Sequence, residues 1–221
     1  MVAPTDMSVM IFGENGTGKE HIAEKIHAQS TRQKGPFVAI DCGMLTRELA
    51  ASELFGYEKG AFTGATTGKK GCMAEADGGS AVSGRGGNLP AEVQQKLLRA
   101  LQTKCYRPTG CTRERKADVR IVAATNENLE KAVEEGRFRR DLYHRLKEFV
   151  IKIPPLRECR EDILPLAEFF RELANEELGR HTEGFDKEAE KELMRRMWAG
   201  NVRELKQTVR SAVLLTEGRL I

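Results

Sequence analysis

The chain has 221 residues, with 36 Lys and Arg against 33 Asp and Glu, a formal net charge of +3, and 40% hydrophobic against 31% charged residues. That balance describes an ordinary soluble globular protein and is too mild to indicate nucleic acid by itself; no window approaches the roughly 18 continuous apolar residues of a membrane span, and no signal-peptide pattern opens the chain. Five cysteines without CxxC pairing point to reduced thiols in a cytoplasm, and the four histidines form no HExxH or Cys/His cluster that would hold zinc.

The first element in chain order is the apolar run Ser8 to Phe12, which reads as a buried strand. "GENGTGKE" follows, with glycines at 13, 16 and 18 before Lys19; after it Ile22, Ala23 and Ile26 recur at helical spacing. Strand, glycine-rich turn and helix form the context of a phosphate-binding loop. Glycines let backbone N–H groups converge on phosphate oxygens, the helix N-terminus adds partial positive charge, and Lys19 reaches the terminal phosphates. The bland alternative is a turn with no ligand. Position 20 is Glu20, where a Ser or Thr hydroxyl usually meets magnesium.

"PFVAID" (36–41) and "VRIVAATN" (119–126) read as short strands buried on both faces, with helical patterns between them, as an α/β fold requires. "GAFTGA" (60–65) sets one aromatic, Phe62, among small residues with no periodicity to bury it. "KCYRPTGCTRERKADVR" (104–120) is basic and turn-rich and reads as a solvated hairpin. "GRFRRDLYHRL" (136–146) gathers Arg137, Arg139, Arg140 and Arg145, which is by default a solvated face. After Pro154 and Pro155 the strand patterns stop. Ile163, Leu166, Ala167, Phe170 and Leu173 form a helical stripe, Asp186 caps a second helix, and Val202, Leu205 and Val209 mark a third.

On these motifs, together with "SELFGYEKGAFTGA", "QQKLLRALQ", "PPLRECREDI" and "GNVREL", the chain resembles the AAA+ activators of sigma-54 RNA polymerase, the NtrC-like bacterial enhancer-binding proteins. In that family Glu at the place of Glu20 is usual. The resemblance implies a three-layer α/β/α P-loop domain around a parallel sheet over 1–154 and a helical lid over 155–221. It implies ATP, with Mg2+ carried by the nucleotide, held by Gly13, Glu14, Asn15, Gly16, Thr17, Gly18, Lys19 and Glu20, with Arg203 reaching back from the lid as sensor II. Asn126 matches sensor I, and Arg139 and Arg145 match fingers supplied in trans, which requires a homo-oligomeric ring, a hexamer or heptamer. Gly60, Ala61, Phe62, Thr63, Gly64 and Ala65 match the loop that touches the sigma factor, with Phe62 and Thr63 making the contact. The implied partner is the sigma-54 RNA polymerase holoenzyme; DNA is met only through a helix-turn-helix domain outside this chain, and no membrane is involved.

One segment departs from the family. Where relatives carry a strand such as LFLDE, this chain has Ala81, Val82, Ser83, Gly84 and Arg85. Gly84 stands in place of the acid that holds magnesium through its shell, and Arg85 in place of the one that polarises the attacking water, so no metal ligand comes from the protein. Asp41 occupies the place where many relatives carry an Asn that restrains the catalytic acid. "AVSGRG" can be written in codons that, shifted by one base, spell LFLDE, so a one-base insertion near Ser80 with a compensating deletion near Gly87, in the gene or in the sequence record, would produce the segment. Two functions follow from different classes: an ATP-driven remodeller of the closed promoter complex, or a hydrolysis-deficient nucleotide-binding module that holds sigma-54 without remodelling it.

Overall fold

The computed structural model describes residues 2–42, 46–84 and 89–221, without the side chains of Arg47, Glu48 and Ser83. The chain divides into two compact units, one of Met1–Phe12 and Lys19–Lys152, the other of Gly13–Gly18 and Ile153–Ile221. The glycine loop read from the sequence thus belongs with the C-terminal helices, although strand and helix on either side of it belong to the first unit.

The first unit is built on a parallel sheet. Its strands are β1 (Val9–Phe12), β2 (Phe37–Asp41), β3 (Ser80–Gly84), β6 (Arg120–Thr125) and β7 (Phe149–Lys152), in the order β2-β3-β6-β1-β7. Helices intervene: α1 (Lys19–Ala28), α2 (Arg47–Phe55), α3 (Cys72–Glu75), α4 (Ala91–Thr103), α5 (Leu129–Glu134) and α6 (Arg140–Leu146). A two-residue ribbon, β4 (Cys105–Tyr106) with β5 (Arg115–Lys116), forms the basic hairpin. Every residue of β6 is buried, as the β-branched and small run that follows Arg120 requires of an inner strand. The strand over 36–41 is not buried on both faces as its sequence suggests. β2 is an edge strand whose residues are half-buried or exposed, because among the described residues only β3 pairs with it.

Strand β3 forms despite its composition. It pairs residue for residue with β2, from Phe37 opposite Ser80 to Asp41 opposite Gly84, and with β6, from Arg120 opposite Ser80 to Ala124 opposite Gly84. Strand preference is set mainly by neighbours and burial, so an inner slot between two ladders can hold small residues. Ser80 is fully buried, and its hydroxyl meets His27 Nδ1 on α1 at 3.0 Å. The deficit appears in packing instead. Ala81 lines an apolar cavity of about 30 Å³ with Leu54, Met73, Leu97, Ile121 and Phe138. Buried cavities cost about 24 cal/mol per Å³, so filling this one is worth about 0.7 kcal/mol. Ala81→Val should therefore raise the urea midpoint by that amount of stability with an unchanged m value. A lower midpoint would mean that the added methyls overpack the site. Cys72 lines the same cavity; burial, with Cys42 nearby, pushes its thiol up to about 12, so it packs as a small protonated hydrophobe.

The second unit is helical beyond residue 153: a short 3₁₀ turn (Leu156–Glu158), then α7 (Arg160–Leu178), α8 (Lys187–Arg195) and α9 (Asn201–Leu215). The α7 stripe packs Ile163, Ala167 and Phe170 into a core with Leu205 and Val209 of α9. Trp198 is enclosed there and donates its indole N–H to the Leu193 carbonyl at 2.9 Å. Asp186 caps α8 through hydrogen bonds from the Glu188 and Ala189 amides, and Gly179 ends α7 in the left-handed region. Among the described residues, no helix is long and apolar enough to cross a membrane.

Candidate functional site

The glycine loop runs directly from the end of β1 to the start of α1, and its bends need glycine. Gly16 and Gly18 have φ of 80° and 86°, a region that side chains rarely adopt. At Gly16 a Cβ would also stand 2.2 Å from the Gly200 carbonyl oxygen. Inside the loop the Thr17 hydroxyl donates to the Glu14 carbonyl at 2.9 Å, and Thr17 is buried. Lys19 opens α1, with Glu20 exposed in the first turn, so the loop ends on a helix N-terminus.

The unit that carries this loop also holds its backbone. Asn201, fully buried with φ of 54°, donates to the Asn15 carbonyl at 3.0 Å and to a Glu14 carboxylate oxygen at 3.2 Å. Arg157 grips both Glu14 oxygens, at 2.8 and 2.6 Å. Arg203 is exposed, and its backbone amide donates to the Gly16 carbonyl at 3.1 Å, which places the expected sensor II residue beside the loop. The sequence reading missed Arg157 and Asn201. Both sit in quoted motifs, but a pairing across 143 or 187 positions leaves no local signal.

At the C-terminal ends of the strands, Asn126 is exposed immediately after β6. Gly84 ends β3 with no side chain, and Asp41 Oδ1 lies 3.7 Å from where a Gly84 Cβ would be. Arg85 lies outside the described residues. Over its described residues β3 offers no carboxylate, and no cluster of three metal-binding side chains occurs among the described residues. Asp41 is the neighbouring acid, with a single carboxylate.

The arginine run divides by partner. Arg139 precedes α6, is exposed, and forks onto Asp141 through Nε at 3.0 Å and Nη2 at 2.7 Å. That guanidinium, with the Leu142 amide, holds the Asp141 carboxyl below its ordinary range. Its backbone amide donates to Gln94 Oε1 at 2.8 Å, while the Gln94 amide nitrogen donates to the Leu89 and Arg137 carbonyls. Gln94 is fully buried and fixes the entry to α6, another role missed from the sequence. A polar residue in the buried register of α4, beside Val93, Leu97 and Leu98, was the available signal. Arg145 pairs with Glu148 and also donates to the Leu101 carbonyl at 3.4 Å. Arg137 is tied to Glu127 and Glu135.

The GAFTGA segment closes on itself. The Gly60 amide donates to the Ala65 carbonyl at 2.8 Å, the Ala65 amide to the Phe62 carbonyl at 3.0 Å, and Gly60 and Gly64 have φ of 82° and 96°. Phe62 stays half-exposed with its ring centroid 4.9 Å from that of Tyr57, while Thr63 is exposed and Ala65 buried. The basic hairpin is joined to this loop's base. The Glu58 amide donates to Thr109, the Thr109 amide donates to Gly56, and Arg115 pairs with Glu58. A Cβ at Gly110 would lie 2.6 Å from Ala61 Cβ.

A parallel sheet whose first strand feeds a glycine loop and helix, followed by a helical unit, defines a P-loop NTPase of the AAA+ type. Residues 1–152 match the Sigma-54 interaction domain and residues 157–221 the AAA+ ATPase lid domain, and the chain belongs to the sigma-54 interaction family. It is 46% identical to the DNA-binding transcriptional regulator NtrC of Salmonella typhimurium over 215 residues, 97% of this chain and 46% of that protein. It is 45% identical to the alginate biosynthesis regulator AlgB of Pseudomonas aeruginosa over 220 residues, 100% of this chain and 49% of that protein. Among solved structures, NtrX of Brucella abortus in complex with ATP superposes with a TM-score of 0.91 at 39% identity, covering 98% of this chain and 47% of that one. The chain spans about half the length of each of these relatives.

Proposed function

We propose that this chain is the nucleotide-binding domain of a sigma-54-dependent transcriptional regulator, and that as written it holds ATP without hydrolysing it at a useful rate. Gly84 carries this reading: β3 stays in register to its last residue, and the position where the resemblance expects an acid has no side chain. The loop Gly13–Gly18, Lys19 and the α1 N-terminus bind the triphosphate, with Arg203 reporting from the lid and Asn126 from the end of β6. Turnover needs more than binding. A water must be oriented and relieved of a proton, and Arg85, which stays charged, cannot accept one. Phe62 and Thr63 present the loop that meets the sigma factor, and Arg139 and Arg145 complete the site of a neighbouring protomer in a ring. The loop, finger and GAFTGA segments favour a second reading for the native gene, in which ATP hydrolysis moves the GAFTGA loops and remodels the polymerase complex.

Measuring ATP binding and phosphate release on the same preparation separates the two. The expected result is saturable ATP binding with near-background phosphate release. Lys19→Ala should weaken binding roughly ten- to a hundred-fold, the scale of losing charge-assisted hydrogen bonds to phosphate. Sustained turnover would overturn the hydrolysis-deficient reading, and no ATP binding at all would overturn the nucleotide reading itself.

A further inference from the structure

The phosphate-binding loop contains a carboxylate, Glu14, in a place where the ligand is a polyanion. An acid beside phosphates is unfavourable unless its charge is engaged elsewhere. The structure supplies that engagement from the lid. Arg157, just before α7, makes two parallel hydrogen bonds to Glu14, and Asn201, the first residue of α9, adds a third. Asn201 is itself fixed, since its Oδ1 accepts the Leu156 amide at 2.8 Å. Asn201 is thereby tied to the residue that precedes Arg157, so both groups that hold Glu14 are anchored at the same turn.

The consequence reaches the backbone. Asn201 holds the Asn15 carbonyl, the Arg203 amide holds the Gly16 carbonyl, and Glu14 is clamped by its side chain. Three successive loop residues, Glu14 to Gly16, are thus tied to the lid. A half-exposed ion pair alone contributes little. This one is bidentate and joined to a fully buried amide, the geometry in which a surface pair holds a conformation. The Glu14 carboxyl is pulled down to about 2, first by Arg157 and then by Asn201, so it stays ionised at any working pH and the latch loosens only as pH falls toward that value.

We infer that Arg157 and Asn201 are positioning residues for nucleotide binding: through Glu14 and the Asn15 carbonyl they hold the phosphate-binding loop in its receptive shape, making the loop a part of the lid. Their proposed action runs through Glu14 and the loop backbone. Their effect is to reduce the ordering that the loop would otherwise undergo when the triphosphate arrives. This inference rests on the nucleotide reading above.

The test is equilibrium binding of a fluorescent ATP analogue to the full chain, with melting temperature measured on each variant. Arg157→Ala should weaken binding about ten-fold, a modest misplacement of binding groups. Arg157→Lys should fall between, because an ammonium cannot reproduce the fork. The single reversals Glu14→Arg and Arg157→Glu should each bind worst, and the two together should recover much of the affinity. Recovery by the swap is a response that general destabilisation does not give. If wild type binds, Lys19→Ala binds more weakly, and Arg157→Ala binds as wild type, the latch is overturned and the nucleotide reading stands. If affinity falls only in step with melting temperature and the swap recovers nothing, the residues are structural and the inference fails. If wild type itself does not bind, both fail together.

Discussion

Replacing Gly84 by Asp and Arg85 by Glu together is expected to raise steady-state ATP turnover by at least about a hundred-fold, with ATP affinity little changed. General-base assistance alone contributes typically 10²–10⁴-fold, and the pair would supply both acids that the proposed function finds lacking. The scaffold for it is present. Gly84 pairs with Asp41 on one side and Ala124 on the other, so a new side chain at 84 projects from an ordered strand end. Gly84 has no positive φ and no atom within 3.4 Å of its would-be Cβ, so substitution there meets no backbone barrier. The neighbour does matter. With Asp41 Oδ1 3.7 Å from that Cβ position, an Asp at 84 adds a second carboxylate beside it, and the like charges repel. Adding Asp41→Asn to the double variant should therefore increase turnover further. Phosphate release measured on both variants checks this. A double variant that binds ATP and turns over no faster than the starting chain would show that more than the acids is missing.

What was legible in the sequence, and what was not, follows from the range over which each feature is determined. The glycine loop, the α7 stripe and the Asp186 cap are set by residues within a turn or two of each other, and pattern alone located them. The half-exposure of β2 was not legible, because an edge strand and an inner strand can carry the same five residues and only the sheet order distinguishes them. β3 shows the converse. Its composition argues against a strand, yet pairing on both sides supplies what propensity lacks, leaving the loss to appear as a cavity beside Ala81. In the site, the loop glycines and the arginine run were visible as types, but their partners were not. Gln94, Arg157 and Asn201 act through hydrogen bonds that reach across as many as 45, 143 and 187 positions, and no periodicity records such a bond.

The expected role of Arg139 can be argued furthest in the acid-restored chain. In the structure its guanidinium is occupied by Asp141, while Gln94 fixes the backbone on which it is mounted. A side chain held at its base and neutralised at an exposed tip is suited to exchange one anion for another, and the phosphoryl group at a neighbour's site offers more charge than one carboxylate. An arginine finger is worth about 10³–10⁵ in turnover. Arg139→Ala in the Gly84→Asp, Arg85→Glu background should accordingly lose about a thousand-fold in turnover while still binding ATP. The decisive experiment is mixing. Protomers carrying Lys19→Ala lack a working loop but keep their fingers; protomers carrying Arg139→Ala keep the loop and lack the finger. Each preparation alone should be inactive, and the mixture should regain phosphate release at those seams where an intact finger faces an intact loop. A finger acting within its own protomer, or an arginine that is only surface charge, gives no recovery at any mixing ratio, and either outcome would remove the ring from the mechanism of this domain.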